Sequence, residues 1–365
     1  MILNIIEVFA GLIISLLLFY RFPMLKKSTD LKRPYKVSVI IPARNEEKNI
    51  PLLLQDLNKQ TYSTYEIICV DDCSEDNTAN IVSSYGVSLL SIKNKPEDWT
   101  GKAWACEKGA ESASGDLLLF LDADVRLQPL AISNLLSTYD ENQCVISVQP
   151  YHQTEKKYEQ FSLFFNLIQI AANGTSSVLK FKNPGLYGPV ILINRDTYRA
   201  IEGHTSAKSS IVDDLALGEK LTQKGFPFKL YLGGKDISFR MYGDGFKKIL
   251  QGWTKNYATG AMKTPLLLFV MVFLWITSCT SVFLFILQSI GEHNLLETVI
   301  FTILYIFWVL ELFRIAGRTG NFKKYVIFCF PIYMIVFLGV FIISFIKKIF
   351  HLNVVWKDRK IRLDK

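Results

Sequence analysis

Three acidic or polar clusters each close an apolar run in the first third of the chain. Pro42-Ala43-Arg44-Asn45-Glu46-Glu47 follows Val37 to Ile41, Asp71-Asp72 follows Glu66 to Val70, and Asp122-Ala123-Asp124 follows Leu117 to Leu121. Apolar runs of this length read as buried strands, and in an open α/β sheet ligands bind outside the carboxyl ends of the strands. A carboxylate at such an edge accepts hydrogen bonds from a ribose hydroxyl or an imide N–H. Two carboxylates one residue apart suit a hard divalent cation, Mg²⁺ or Mn²⁺, which keeps several waters and binds substrate phosphates. One Asp-x-Asp is expected by chance roughly once in a chain of ordinary composition and this length. Three such strand ends on one sheet edge are much harder to get by chance, and together they propose a metal–diphosphate site.

The elements that must carry these clusters alternate. Between the strands lie helical patterns at Glu46 to Lys59, Asp76 to Ser84 (with Asp76 as its cap), Gly101 to Ala113 and Leu130 to Tyr139; further strands are expected at Val87 to Ile92 and Cys144 to Val148. This alternation argues an α/β sheet with parallel strands. Glu155 to Ala172 carries Tyr158, Phe161, Phe164, Phe165 and Ile168 at helical spacing. It reads either as a helix packed on the sheet or as an interfacial helix lying on a bilayer.

The flanks are of another kind. Half of the residues are hydrophobic and 13% are aromatic, which points to membrane segments. Residues 1–23 hold an apolar run without a basic leader or small-residue cleavage site, as in a retained transmembrane anchor. Lys26, Lys27, Lys32, Arg33 and Lys36 follow, and this basic loop places residues 37–260 on the cytoplasmic side. Residues 265–346 contain three more apolar runs, 265–290, 295–313 and 325–346, the last broken by Pro331; a basic tail, 347–365, ends the chain. Four full spans would put that tail outside, against the positive-inside rule, so one late segment is expected to be re-entrant or interfacial. The net charge of +8 gathers beside apolar runs rather than in a stripe, which argues against a nucleic-acid partner. The six cysteines form no C-x-x-C pair and read as packed thiols in a reducing compartment. No G-x-G-x-x-G and no P-loop is present.

In order and spacing, V-S-V-I-I-P-A-R-N-E-E, V-D-D-C-S-E-D-N-T, F-L-D-A-D, I-V-D-D-L-A-L-G and F-K-K-I-L-Q-G-W-T-K-N resemble the family-2 glycosyltransferases of the GT-A fold. The resemblance covers roughly residues 37–260. It implies a cytosolic catalytic domain with a Rossmann-like mixed sheet, a UDP-sugar donor, a divalent metal and inversion at the anomeric carbon. Carried over position by position, it implies that Asp72 binds base or ribose with Asp71 in support, beside Pro42, Asn45 and Glu46. Asp122 would contact ribose or sugar, and Asp124 would ligate the metal. Asp214 falls at the position of the base, with Asp213 competing for that role; Gln251 and Trp253 would close over diphosphate and acceptor. The Arg of the family's Q-x-x-R-W motif is absent, since Gly252 precedes Trp253, and Arg240 or Lys255 would supply that charge. Ser147 to His152, Gly188-Pro189-Val190, Phe239 to Tyr242 and Val354 to Lys357 resemble the branch of the family that glucosylates a C30 carotenoid acid on the way to staphyloxanthin. That branch implies a carotenoid acceptor; another membrane lipid, such as a polyprenyl phosphate, ceramide or diacylglycerol, is the alternative.

A hydroxyl acceptor needs a general base, whereas a carboxylic acid, with a pKa near about 4, is already ionised at neutral pH. His152 and His204 read as structural polar groups, although His152 follows a strand end and could line the acceptor site. Trp99 and Trp104 read as packing groups, with Gly101-Lys102 between them near enough to approach the diphosphate. Glu297 and Glu311 lie in an apolar run, where a carboxylate is functional unless it sits at the run's ends. A processive synthase would need more spans, and a non-catalytic scaffold would not need the intact acidic set.

Overall fold

The computed structural model describes residues 1–28, 31–181, 185–210, 212–241, 243, 245–350, 353–356 and 359–362, with side chains for these except 255–262 and those beyond 350. In chain order the elements are α1 (Ile2–Leu18), β1 (Val37–Ala43), α2 (Ile50–Asn58), β2 (Tyr65–Asp72), α3 (Thr78–Ser84), β3 (Ser88–Ile92), α4 (Gly101–Ser112), β4 (Leu117–Leu121), β5 (Val125–Leu127), α5 (Ala131–Asn142), β6 (Val145–Gln149), β7 (Tyr151–His152), α6 (Ser162–Ala172), β8 (Val190–Asn194), α7 (Arg195–Ala200), α8 (Asp213–Gln223), β9 (Phe228–Leu232) and β10 (Ile237–Phe239). They continue with α9 (Phe246–Lys263), α10 (Leu266–Gly291), α11 (Leu295–Thr319), α12 (Lys324–Phe328), α13 (Phe330–Ile349), β11 (Asn353–Trp356) and β12 (Arg359–Arg362).

The main sheet has the order β3-β2-β1-β4-β8-β6-β9. The strands expected from sequence run parallel; β8 runs antiparallel between β4 and β6 and makes the sheet mixed. Strand alternation sends Val37, Val39 and Ile41 to one core with α2 and α5, and Ile40 to another with α4 and α8. Both faces are thus covered, so the strands are continuously apolar and the polar residues gather at their ends. A small sheet, β5-β10-β7, lies beyond the carboxyl edge.

A third core joins α1, α6 and α9 to α10, α11 and α13. The last three helices are each long and apolar enough to cross a membrane. The first helix has 17 residues, about 25 Å at 1.5 Å per residue, and packs along α10. A Cβ at Gly11 would stand 2.0 Å from the Ser278 hydroxyl oxygen, so only glycine permits that approach. Glu311 is buried inside this bundle. It accepts from Ser15 at 2.9 Å and pairs with Arg314, whose guanidinium also donates to the Phe19 carbonyl at 2.9 Å. Glu297 instead caps the start of α11 with Asn294.

The helix α6 corrects both sequence readings. Nine of its eleven residues are buried, and it packs against α9, α10, α11 and α13 rather than on the sheet or on lipid. Its aromatic side is also not its only apolar side: Leu163, Leu167 and Ile170 are fully buried as well.

Candidate active site

The cavity that gathers the strand ends measures about 1200 Å³. At one end it is lined by Pro42, Asn45, Glu46, Asp72, Lys102, Asp122, Asp124, Gly188, Asp213 and Asp214. From there it continues past Ile168, Gln169 and Trp253 to Phe269, Val272, Phe273 and Ile276 of α10 and Phe337, Leu338 and Phe341 of α13. Polar sheet edge and apolar helix flank therefore share one volume.

The polar end is built from short ties between loops. The Asn45 carboxamide oxygen accepts from the Glu75 N–H at 2.8 Å, and the Asn45 backbone N–H donates to the Ser74 hydroxyl at 3.0 Å, which locks the ends of β1 and β2 together. Asp76 accepts from the N–H groups of Glu47 and Thr78, each at 3.0 Å, and so anchors the same loop as well as the start of α3. Asp71 is buried outside the cavity wall and accepts from the Ser74 N–H at 3.3 Å, while Asp72 lines the cavity.

Thr100 caps α4, and the next turn aims Lys102 at the end of β4. Its ammonium meets the Asp122 carboxylate at 2.6 Å. Despite burial, Asp122 and Asp213 keep that ammonium charged well above the ordinary lysine range. On the far side, residues 185–189 form a bracket: the Asp122 N–H donates to the Pro189 carbonyl at 3.0 Å, and the Leu186 N–H donates to the Asp214 carbonyl at 3.2 Å. A Cβ at Gly188 would lie 3.0 Å from the Asp214 carboxylate and 3.3 Å from the Lys102 ammonium. The end of β4 and the start of α8 are thereby held together around Lys102.

Asp213 and Asp214 both open α8 but face different neighbours. Asp213 approaches His204 at 3.9 Å, and burial pushes that imidazole down to about 4, leaving it neutral. Burial, with the adjacent Asp213 charge, pushes the Asp214 carboxyl up to about 6, while Lys102 opposes the rise. A group with that value is suited to exchange a proton near neutrality. The bracket depends on a close approach of two glycines, since a Cβ at Gly218 would stand 2.5 Å from the Gly185 Cα. Gly218→Ala is expected to lower stability by about 1–3 kcal/mol and to reduce activity by displacing Asp214. A thermal unfolding midpoint equal to that of the parent chain would refute the first part.

Arg240 lines the cavity, and its guanidinium is held there by Glu155 at 2.5 Å and by buried Glu159 at 2.7 Å. Gln251 does not line the cavity, although Trp253, two residues on, does. The Lys255 side chain lies outside the described residues. Lys248, two turns earlier on α9, is a cavity-lining cation. Among the described residues no group of three His, Cys, Asp or Glu forms a metal cage. Asp122 and Asp124 fit a cation that completes its shell with phosphate oxygens and water. Trp99 and Trp104 pack edge to face at 4.8 Å. His152 is fully buried between Phe239 and Phe322.

Residues 38–201 match the family model for glycosyl transferase family 2. A 4,4'-diaponeurosporenoate glycosyltransferase of Staphylococcus aureus is 33% identical over 356 residues, which cover 96% of this chain and 94% of that protein. The chain belongs to glycosyl transferase family 2. A protein of the same name from Staphylococcus haemolyticus is 37% identical over 264 residues, 70% of either chain. The fold of this glycosyltransferase is also that of a mannosyltransferase from Pyrobaculum calidifontis, solved in complex with GDP-Man and Mn²⁺. That structure superposes with a TM-score of 0.57 at 15% identity, covering 94% of this chain and 97% of the other, and shares the GT-A architecture.

Proposed function

We propose that this glycosyltransferase transfers glucose from UDP-glucose, with inversion, to the carboxyl group of the C30 carotenoid 4,4'-diaponeurosporenoate, forming a glycosyl ester at the cytoplasmic face of the membrane. The observation that carries the reading is the single cavity joining Asp72, Asp122 and Asp124 to the apolar flank of α10 and α13. A lipid acid can lie in the apolar part and present its carboxylate at the acidic edge. The full-length similarity to proteins named for this reaction supports the same acceptor.

In this mechanism Asp72 holds the nucleoside, and Asp124 with Asp122 would hold Mg²⁺ or Mn²⁺, which when bound would supply neutralising charge to the leaving diphosphate. The carboxylate oxygen forms its bond to the anomeric carbon as the carbon–diphosphate bond breaks, and that electron pair leaves with UDP. Lys102 keeps the acidic edge from repelling the incoming anion. Asp214 is not needed to deprotonate an acceptor that is already ionised; its carboxylate helps hold the Lys102 ammonium at the acidic edge, so Asp214→Asn is expected to lose about tenfold in kcat. A loss of several hundredfold would mark a hydroxyl acceptor and a true base.

The packing supports a membrane topology of three crossings. In this reading α1, α10 and α11 cross together. The same reading leaves α13 on one side, a placement supported by its course beside α9, where the Ser344 hydroxyl donates to the Thr254 carbonyl at 2.7 Å. The β11 strand then lies beside α9. Three crossings would leave the basic tail on the side of the catalytic domain, in keeping with the positive-inside rule.

The test is product analysis by mass spectrometry. Membranes containing the protein are incubated with UDP-glucose, Mn²⁺ and diaponeurosporenoic acid. An alkali-labile monoglucosyl ester is the expected product. UDP release without it would reject this acceptor and redirect the search to hydroxyl lipids.

A further inference from the structure

The apolar half of the cavity has a feature that a site for any lipid would not require. On α13, Phe337, Phe341 and Phe345 recur every fourth residue. Their rings stand 6.0 and 6.3 Å apart, with interplanar angles of 25° and 15°, so they form one row of near-parallel rings. The row continues inward. Phe337 meets Phe165 edge-on at 5.0 Å, and Phe165 stacks on Trp253 at 4.8 Å and 12°. Trp253 and Phe337 line the cavity that also holds the acidic edge, and so does Phe341. Eight residues of helix from Phe337 to Phe345 extend about 12 Å, and Phe345 is 45% exposed at the far end. Opposite stands α10, whose Phe273 lines the cavity and is 58% exposed. The row therefore runs from the cavity that holds the acidic edge out to the exposed surface of α13.

We propose that this row on α13, opposite α10, is a specificity-determining rail for a flat conjugated polyene chain, selecting it over a saturated chain of the same length. The proposal rests on the carotenoid reading above and goes beyond it by assigning the residues that choose the chain. A row of near-parallel rings offers a chain lying along it a succession of aromatic contacts, and aromatic contacts contribute beyond the area they bury. A conjugated chain is also rigid, so it gives up less rotational freedom on entering a narrow slot than a saturated chain does. Branched aliphatic side chains would bury similar area without matching a flat partner.

The test uses the full-length protein in membranes and compares diaponeurosporenoic acid with a saturated fatty acid as acceptor. Phe341→Leu is expected to lower kcat/KM for the polyene acid at least tenfold and for the saturated acid less than threefold. Phe345→Leu, on the exposed face and least able to disturb folding, is expected to shift the ratio in the same direction by about threefold. Equal losses for both acids, or no change for either, would overturn the rail while leaving the carotenoid reading intact. If the parent protein makes no ester of the polyene acid at all, both fall together. The absorption band of the bound polyene gives a readout that does not depend on turnover: it is expected to shift on binding to the parent protein and to shift less on binding to Phe341→Leu.

Discussion

Replacing Asp124 with alanine is expected to reduce glycosyl transfer at least a thousandfold, about 4 kcal/mol of transition-state stabilisation. Asp124 follows the end of β4 and lines the polar end of the cavity, where only Asp122 stands one residue away to share a cation. A diphosphate leaving group develops charge as its bond breaks, and a bound cation is worth several kcal/mol against that charge. Since no third carboxylate is grouped with this pair among the described residues, one substitution removes half of the protein's ligands. Titration of Mn²⁺ in the presence of UDP, followed by paramagnetic resonance, separates this from misfolding: the parent is expected to bind the ion only with nucleotide, and Asp124→Ala to bind it at least tenfold more weakly. A variant that keeps a tenth or more of the parent activity would remove Asp124 from the metal site.

The second large effect is expected at Lys102. Its ammonium stands 2.6 Å from Asp122 and opposes the rise in the Asp214 pKa. In Lys102→Met those carboxylates face one another without it, and kcat/KM is expected to fall about a hundredfold. The pH profile carries the sharper test. In the parent, the Asp214 carboxyl sits at about 6, so activity is expected to step down about tenfold as pH falls through that value and Asp214 takes up a proton. Removing the lysine removes a charge that favours the ionised form, so the step is expected to move to higher pH. Asp214→Asn is expected to abolish the step. A step that stays in place in Lys102→Met would show that another group supplies the compensating charge.

The sheet edge was legible in the sequence because each strand there is apolar until its last residues, and a polar cluster after a buried strand has few places to go. Lys102 was harder to see. A lysine in the first turn of an exposed-looking helix between two tryptophans has the same local pattern whether it meets water or Asp122, and only the return of β8 and the 185–189 bracket makes the difference. The pairing of Arg240 was hidden for the complementary reason. Glu155 and Glu159, which neutralise it, are about eighty residues away in sequence and carry no local sign of that pairing. The burial of α6 was hidden because an amphipathic pattern records one apolar side, and the second side becomes visible only once α10, α11 and α13 are folded against it. Likewise, hydropathy measures the length of α13 but not its direction, which depends on where Ser344 and β11 meet α9.

The cavity's apolar end is bordered by side chains that are themselves exposed, Phe269 and Phe273 among them. In the proposed reading these face lipid, so the two substrates arrive from phases of different dimension. The donor comes from a volume and is measured in molar units. The acceptor comes from a sheet, and what the enzyme experiences is its mole fraction among surrounding lipids. Adding inert phospholipid at a fixed total amount of acceptor then slows the reaction without changing the apparent affinity for the sugar nucleotide. Detergent alkyl chains enter the same count as competing neighbours, so activity in micelles depends on how many detergent molecules surround each acceptor.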